Sequence, residues 1–148
     1  MSNSGRCLCG AVSFTTANSN KEVGACHCEL CRKWSGGAFL EVECAATATF
    51  AGQEFISTYS SSAWAERAFC KNCGTHLFIR VIANSYDIPE GIGIPPGLFD
   101  DWEDFHLKQQ VFIDQKPDCY AFSNDTRNIN SDEIYKLYPQ IRSRVVKE

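Results

Sequence analysis

No apolar run in this chain approaches the ~20 residues that a membrane-spanning helix needs, which excludes such a helix. Residues 1–6 hold no apolar segment of the kind a secretory signal requires, so a cytoplasmic location is the expectation. Positive charge is scarce as well: 14 Lys and Arg against 18 Asp and Glu give a net charge of −4, and the pI is about 5.4. Nucleic acid, which needs a basic face, is thereby disfavoured as a partner, and nothing points to a membrane. Internal repeats and low-complexity tracts are also missing. With 148 residues, 44% hydrophobic and 22% charged, the chain 1–148 is expected to form one domain with its own core.

What the chain has in excess is cysteine, nine in all. An odd number with no export signal argues against a disulfide framework, and close-spaced cysteines in a reducing compartment bind metal or do redox chemistry. The stretch Cys26-His27-Cys28-Glu29-Leu30-Cys31 crowds three thiols into one turn with C-x-C-x-x-C spacing. A thiolate trio can share one soft ion, since a Zn–S bond is about 2.3 Å, and three ligands leave one tetrahedral position for water or substrate. A disulfide-forming turn, or a site completed by a distant residue, are the alternatives. Two further pairs, Cys7-x-Cys9 and Cys70-x-x-Cys73, would together make a four-thiolate structural site, with zinc or iron as the ion. Gly10 and Gly74 directly follow these pairs, where positive φ lets the backbone turn back toward the sulfurs. Cys44 and Cys119 are expected to be buried, inert thiols.

Short β-rich segments dominate the remainder. Residues 11–16, 38–44, 48–50, 55–59, 64–69, 76–82 and 105–113 carry strand formers, separated by Gly- and Ser-rich turns. Residues 29–34 predict a helical turn stopped by Ser35-Gly36-Gly37, and Ser131-Asp132-Glu133-Ile134 predicts the N-cap and first turn of a C-terminal helix. Residues 84–97 hold three of the five prolines and three glycines and read as a long irregular loop. The basic tail at 142–147 reads as a solvated end. The expected fold class is mainly β, with short antiparallel strands.

Taken together the motifs resemble the glutathione-dependent formaldehyde-activating enzyme family, which includes the centromere protein V relatives. The resemblance is carried by Gly5-Arg6-Cys7-Leu8-Cys9-Gly10-Ala11-Val12, by the trio with Arg32-Lys33-Trp34-Ser35-Gly36, and by Tyr59-Ser60-Ser61 with Arg67-Ala68-Phe69-Cys70-Lys71-Asn72-Cys73-Gly74-Thr75-His76-Leu77. Leu98-Phe99-Asp100-Asp101 and His106 extend it, for a motif core of about 5–122. The resemblance implies a β-tent fold with two zinc ions, a structural one on Cys7, Cys9, Cys70 and Cys73 and a functional one on Cys26, Cys28 and Cys31. It further implies a carbon–sulfur lyase activity that joins glutathione and formaldehyde into S-hydroxymethylglutathione. The chain departs from the family in its proline-rich 84–97 segment and at Cys119-Tyr120, where the family has a tryptophan.

An ion held by three thiolates carries net negative charge, which suits it to binding a substrate thiol rather than to polarising a carbonyl. The trio is therefore the expected catalytic centre, with a small thiol such as glutathione and a small aldehyde as partners. His27 is expected to act as base or fourth ligand, or to be held structurally. Arg32, Lys33 and Arg67 are candidates for substrate carboxylates. Trp34 is a candidate pocket wall, as is Phe39, for which core packing is the stronger expectation. Two other functions use the same residues: a non-catalytic zinc module for a protein partner or small thiol, and redox or metal sensing by an exposed trio.

Overall fold

The computed structural model describes residues 3–17, 20–44, 48–82 and 91–142. Along the chain run β1 (Asn3–Arg6), β2 (Ser13–Thr16), β3 (Glu22–Cys26), helix α1 (Glu29–Ser35), β4 (Phe39–Glu43), β5 (Ala48–Ala51), β6 (Ile56–Ser60), β7 (Ala65–Cys70), β8 (His76–Val81), β9 (Gly91–Ile94), β10 (His106–Val111), β11 (Arg127–Ile129) and helix α2 (Ser131–Leu137). The mainly β fold with a short C-terminal helix agrees with expectation. No helix among the described residues is long and apolar enough to cross a membrane.

The strands form two sheets. A small one has the order β1-β2-β5, and an eight-stranded one has the order β11-β10-β3-β4-β9-β8-β7-β6. Strand alternation gives the large sheet two unlike faces. On one face Val42, Cys44, Ala68, Cys70, Phe78 and Ile94 join the core. The small sheet covers that face through aromatic rings: Phe50 lies 5.6 Å from Phe14 and 4.9 Å from Phe78, centroid to centroid. Burying a side chain as large as Phe14, which is 2% exposed, contributes about 1.5–3 kcal/mol. The other face presents Glu41, Glu43, Arg67, Gly91 and Gly93 to a cavity.

Three expectations need correction. Of the loop expected over residues 84–97, residues 84–90 lie outside the described residues, but Gly91–Ile94 is strand β9, paired between β4 and β8 in the sheet centre. Its glycines suggested a loop; its isoleucines, Ile92 at 8% and Ile94 at 0% exposure, fill the core in strand alternation. The pairing is not wholly antiparallel, since β10 runs parallel to both β3 and β11. The N-cap of α2 is Asn130, not Ser131: its side chain accepts from the Glu133 N–H at 3.0 Å, and Glu133 accepts from the Asn130 N–H in return. Ser131 instead donates its hydroxyl to Asp114 at 2.7 Å. Strands β1, β3 and β11 had no expectation attached. Residues 143–147 of the basic tail lie outside the described residues.

Candidate functional site

Strand β3 and helix α1 place the cysteine trio. Cys26 ends β3, and Cys28 is the N-cap of α1, its sulfur accepting from the Cys31 N–H at 3.4 Å. The helix runs one further turn past Cys31 and stops at Gly36, whose φ of 76° is open to glycine. The three sulfurs lie within 4.8 Å of one another, and among the described residues no His, Asp or Glu donor joins them. Hydrogen bonds from the Cys26 and Cys31 thiols hold Cys28 down at about 2, and the same contacts, with burial, push Cys26 well up.

Cys7, Cys9, Cys70 and Cys73 gather into a second cluster, again with all sulfurs within 4.8 Å. A tetrahedral thiolate site with bonds of about 2.3 Å has sulfur–sulfur edges of about 3.8 Å. Here Cys7 and Cys9 are 3.6 Å apart, and Cys9 and Cys70 are 3.8 Å apart, close to the edges of such a site. All nine cysteines are free thiols. Gly10 and Gly74 have φ of 81° and 80°, and the Val12 N–H reaches back to the Cys7 sulfur at 3.4 Å. The cluster joins the β1–β2 and β7–β8 turns across some sixty residues. Both clusters can hold metal ions.

A cavity of about 200 Å³ opens on the trio. Trp64, Ile79, Val81 and Val111 supply apolar wall, while Arg67, Glu41 and Glu43 bring charge. Arg67 is 4% exposed and donates from Nη2 to the Cys31 sulfur at 3.6 Å. Burial, then the neighbouring Glu43, raises the Glu41 carboxyl to about 7, although Arg67 opposes the shift.

The other candidates are placed elsewhere. His27 is 1% exposed and turns away from the sulfurs: Nε2 is 2.8 Å from Gln110 Oε1, and Tyr120 Oη lies 3.4 Å from Nδ1. Lys33 is exposed and paired with Glu29 at 3.4 Å, and neither it nor Arg32 lines the cavity. Trp34 stacks on His76 with centroids 4.0 Å apart, and Phe39 packs beside it as a buried residue. Of the three cations, only Arg67 reaches the cavity. Cys44 is buried at 1%, whereas Cys119 is exposed, against expectation, because it falls on a turn rather than a strand.

Glu41, Glu43 and Trp64 carried no functional expectation. Alternation of Glu41 and Glu43 with Leu40 and Val42 marks a polar strand face, but a sequence does not say whether that face meets solvent or a cavity.

A relative from Schizosaccharomyces pombe (strain 972 / ATCC 24843), named an uncharacterized lyase, is 37% identical over 134 residues, covering 89% of this chain and 93% of the relative. A crystal structure of a Rhodobacter sphaeroides protein aligns with a TM-score of 0.54 at 23% identity, over 66% of this chain and 88% of that one, which shows a shared fold. The family profile described as glutathione-dependent formaldehyde-activating enzyme matches residues 2–115. The chain therefore belongs to the glutathione-dependent formaldehyde-activating enzyme family.

Proposed function

We propose that the protein is a zinc-dependent enzyme of the carbon–sulfur lyase type, adding a glutathione-like thiol to formaldehyde or a related small electrophile. One observation carries this reading: a three-thiol cluster that no further His, Asp or Glu donor joins, among the described residues, opens directly on a cavity containing a buried arginine. Cys26, Cys28 and Cys31 would hold the functional ion, and Cys7, Cys9, Cys70 and Cys73 the structural one. Zinc bound at the trio supplies a site that favours a substrate thiol in its thiolate form.

The residues of the chain do the rest. Arg67 balances the negative charge of the cysteines and donates to the Cys31 sulfur. The apolar walls exclude water, which strengthens the electrostatic interactions inside. In the reaction the thiol loses its proton, a carbon–sulfur bond forms at the aldehyde carbon, and the former carbonyl oxygen takes up a proton to become the hydroxyl. His27 has a supporting role, holding the turn that carries the trio from behind. Arg32, Lys33 and Trp34 act outside the cavity: Trp34 through its stack on His76, and the two cations by lending charge near the site. We place the activity in the cytoplasm, in one unit spanning 1–148.

The test is zinc content and the rate of S-hydroxymethylglutathione formation, followed by exchange NMR, for native protein and Cys28→Ala. Two zincs with acceleration in the native protein, and one zinc without acceleration in the variant, are expected. Two zincs without any acceleration would leave a non-catalytic zinc module.

A further inference from the structure

The cavity on the trio is larger and more apolar than formaldehyde needs. It measures about 200 Å³. A water molecule fills only about 10–15 Å³ of such a space, so an electrophile of two heavy atoms leaves most of it empty. Trp64, Ile79, Val81, Phe112, Tyr135 and Ile141 line it. Glutathione carries two carboxylates and an ammonium, and charged groups are costly to bury against walls of this kind. Its sulfur belongs at the trio, and the apolar space is left for the other reactant.

Part of that wall is held in a strained form. Phe112 is the one non-glycine residue with positive φ among the described residues, at 55°. Such a conformation persists where the surrounding structure fixes it. The Phe112 ring packs across that of Tyr135 on α2, with centroids 5.8 Å apart. Helix α2 is tied to the same segment: Asp114 accepts from the Ser131 hydroxyl at 2.7 Å, and Gln115 donates to that oxygen at 2.9 Å. Tyr135 and Ile141 lie beyond residue 115, where the match to the family profile ends, so the profile does not describe this side of the cavity.

The cavity also holds unmet donors. Arg67, 4% exposed, donates to the Cys31 sulfur through Nη2, yet its Nε and Nη1 have no partner among the described residues. The buried Nε1 of Trp64 is likewise without an acceptor. Buried donors of this kind are uncommon in folded proteins, and a ligand is one of the few things that explains them. A carboxylate is a poor acceptor here, because Arg67 already faces the charge of Glu41 and Cys28. A carbonyl oxygen arrives neutral and gains charge only as a thiolate adds to its carbon. We infer that the cavity takes an aldehyde with an apolar tail, its oxygen received by Arg67 and the Trp64 N–H and its tail by Phe112, Tyr135 and Ile141. The inference rests on the thiol-adding reading and narrows its electrophile. The thiol releases its proton, the carbon–sulfur bond forms, and the carbonyl π pair passes to the oxygen, which takes up a proton. The product is a hemithioacetal, and no oxidant or reductant is needed.

The test titrates the metal-loaded protein with acetamide and hexanamide, unreactive carbonyl compounds that differ only in tail length. NMR titration is expected to show hexanamide binding at least tenfold more tightly. Trp64→Phe, which keeps a ring and removes the N–H, should weaken both amides by about threefold. Tyr135→Ala should cut the preference for hexanamide to below threefold. Ile141→Ala should lower it as well, which keeps the wall testable if the Tyr135 variant fails to fold. Equal affinity for both amides, binding of neither, affinities unmoved by Trp64→Phe, or a preference untouched by both wall variants would each overturn the inference. Addition of glutathione to acetaldehyde and to hexanal is followed alongside. A binding preference without acceleration of either addition removes the enzymatic reading and leaves the aldehyde site, and acceleration without the preference does the reverse.

Discussion

Trp34 lies flat against His76, with ring centroids 4.0 Å apart and planes 8° from parallel. Trp34 follows Cys31 on α1, and His76 begins β8 just after Cys73. The stack therefore joins the helix of the trio to the strand that leaves the four-cysteine cluster. The Arg67 guanidinium sits 5.0 Å from the same indole ring, so one contact group spans both clusters and the cavity.

Truncating that indole should loosen the trio first. Trp34→Ala is expected to cost about 3 kcal/mol, the low end for removal of a packed aromatic. Its effect on metal should be unequal: the trio loses its ion at a lower chelator concentration than the native protein does, while the four-cysteine cluster is unchanged. Urea unfolding and stepwise zinc release with a chromogenic chelator measure the two effects.

The Gly93 position offers a sharper test of packing. Gly93→Ala forces the Glu41 carboxylate to move, at a cost of about 1–3 kcal/mol typical of overpacking. In the Glu41→Ala background the same substitution should cost far less, because the overlapping group is gone. A double-mutant cycle is expected to give a coupling energy of at least 1 kcal/mol, and additivity would show that β9 yields elsewhere.

The same strand shows what was readable from the sequence. The cysteine spacings announced both clusters, because ligand geometry is local to a turn and only the pairing of two turns is left to the fold. Short strands with apolar alternation, such as β8, were equally plain. Strand β9 was not: Gly91 and Gly93 carry the signature of a loop, and only Glu41 and Glu43 of a strand far off in sequence explain why side chains are missing there. His27 was readable as important but not in direction, since its partners Gln110 and Tyr120 come from segments that no spacing rule connects to it. Cavity membership is a property of the sheet face, and residue type alone separated Arg67 from Arg32 and Lys33 no better than chance.

The His27 ring should carry a proton at Nε2. Gln110 donates from Nε2 to Thr126 Oγ1 at 2.9 Å, which turns its Oε1 toward His27 as acceptor. Nε2 then donates to that oxygen, and the Tyr120 hydroxyl lies 3.4 Å from Nδ1. The long-range ¹⁵N–¹H NMR pattern should report a proton on Nε2. His27→Ala leaves the buried Gln110 oxygen unsatisfied and is expected to cost about 1–3 kcal/mol.

Cysteine labelling should separate the two thiols outside the clusters. Cys119 is exposed and Cys44 is 1% exposed, so metal-loaded native protein treated with iodoacetamide should be alkylated at Cys119 and spared at Cys44. Peptide mass spectrometry reads both sites. Cys119→Ser should remove native labelling with no change in stability beyond about 0.5 kcal/mol, as for an exposed position.

Glu41 should make stability depend on pH with a definite sign. Its folded-state pKa is raised from 4.5 to about 7, chiefly because burial strips water from the carboxylate, a cause that operates whether or not the cysteines hold an ion. Below about pH 4.5 both folded and unfolded chains hold the proton, and the group contributes no pH dependence. As pH rises from there to about 7, the unfolded chain ionises while the folded one resists, so stability falls, by about 3 kcal/mol in all, and then levels off. Glu43, Arg67 and Cys28 are the charged neighbours, and the first and last deepen the effect while Arg67 lessens it. Glu41→Gln removes the ionisable group, so the variant should equal the native protein near pH 4.5 and exceed it by up to about 3 kcal/mol at pH 8. Chemical denaturation of both proteins across that range measures the difference. A gap that stays constant with pH would mean that the carboxyl is hydrated in the folded protein, and the cavity wall it forms would then be open to water.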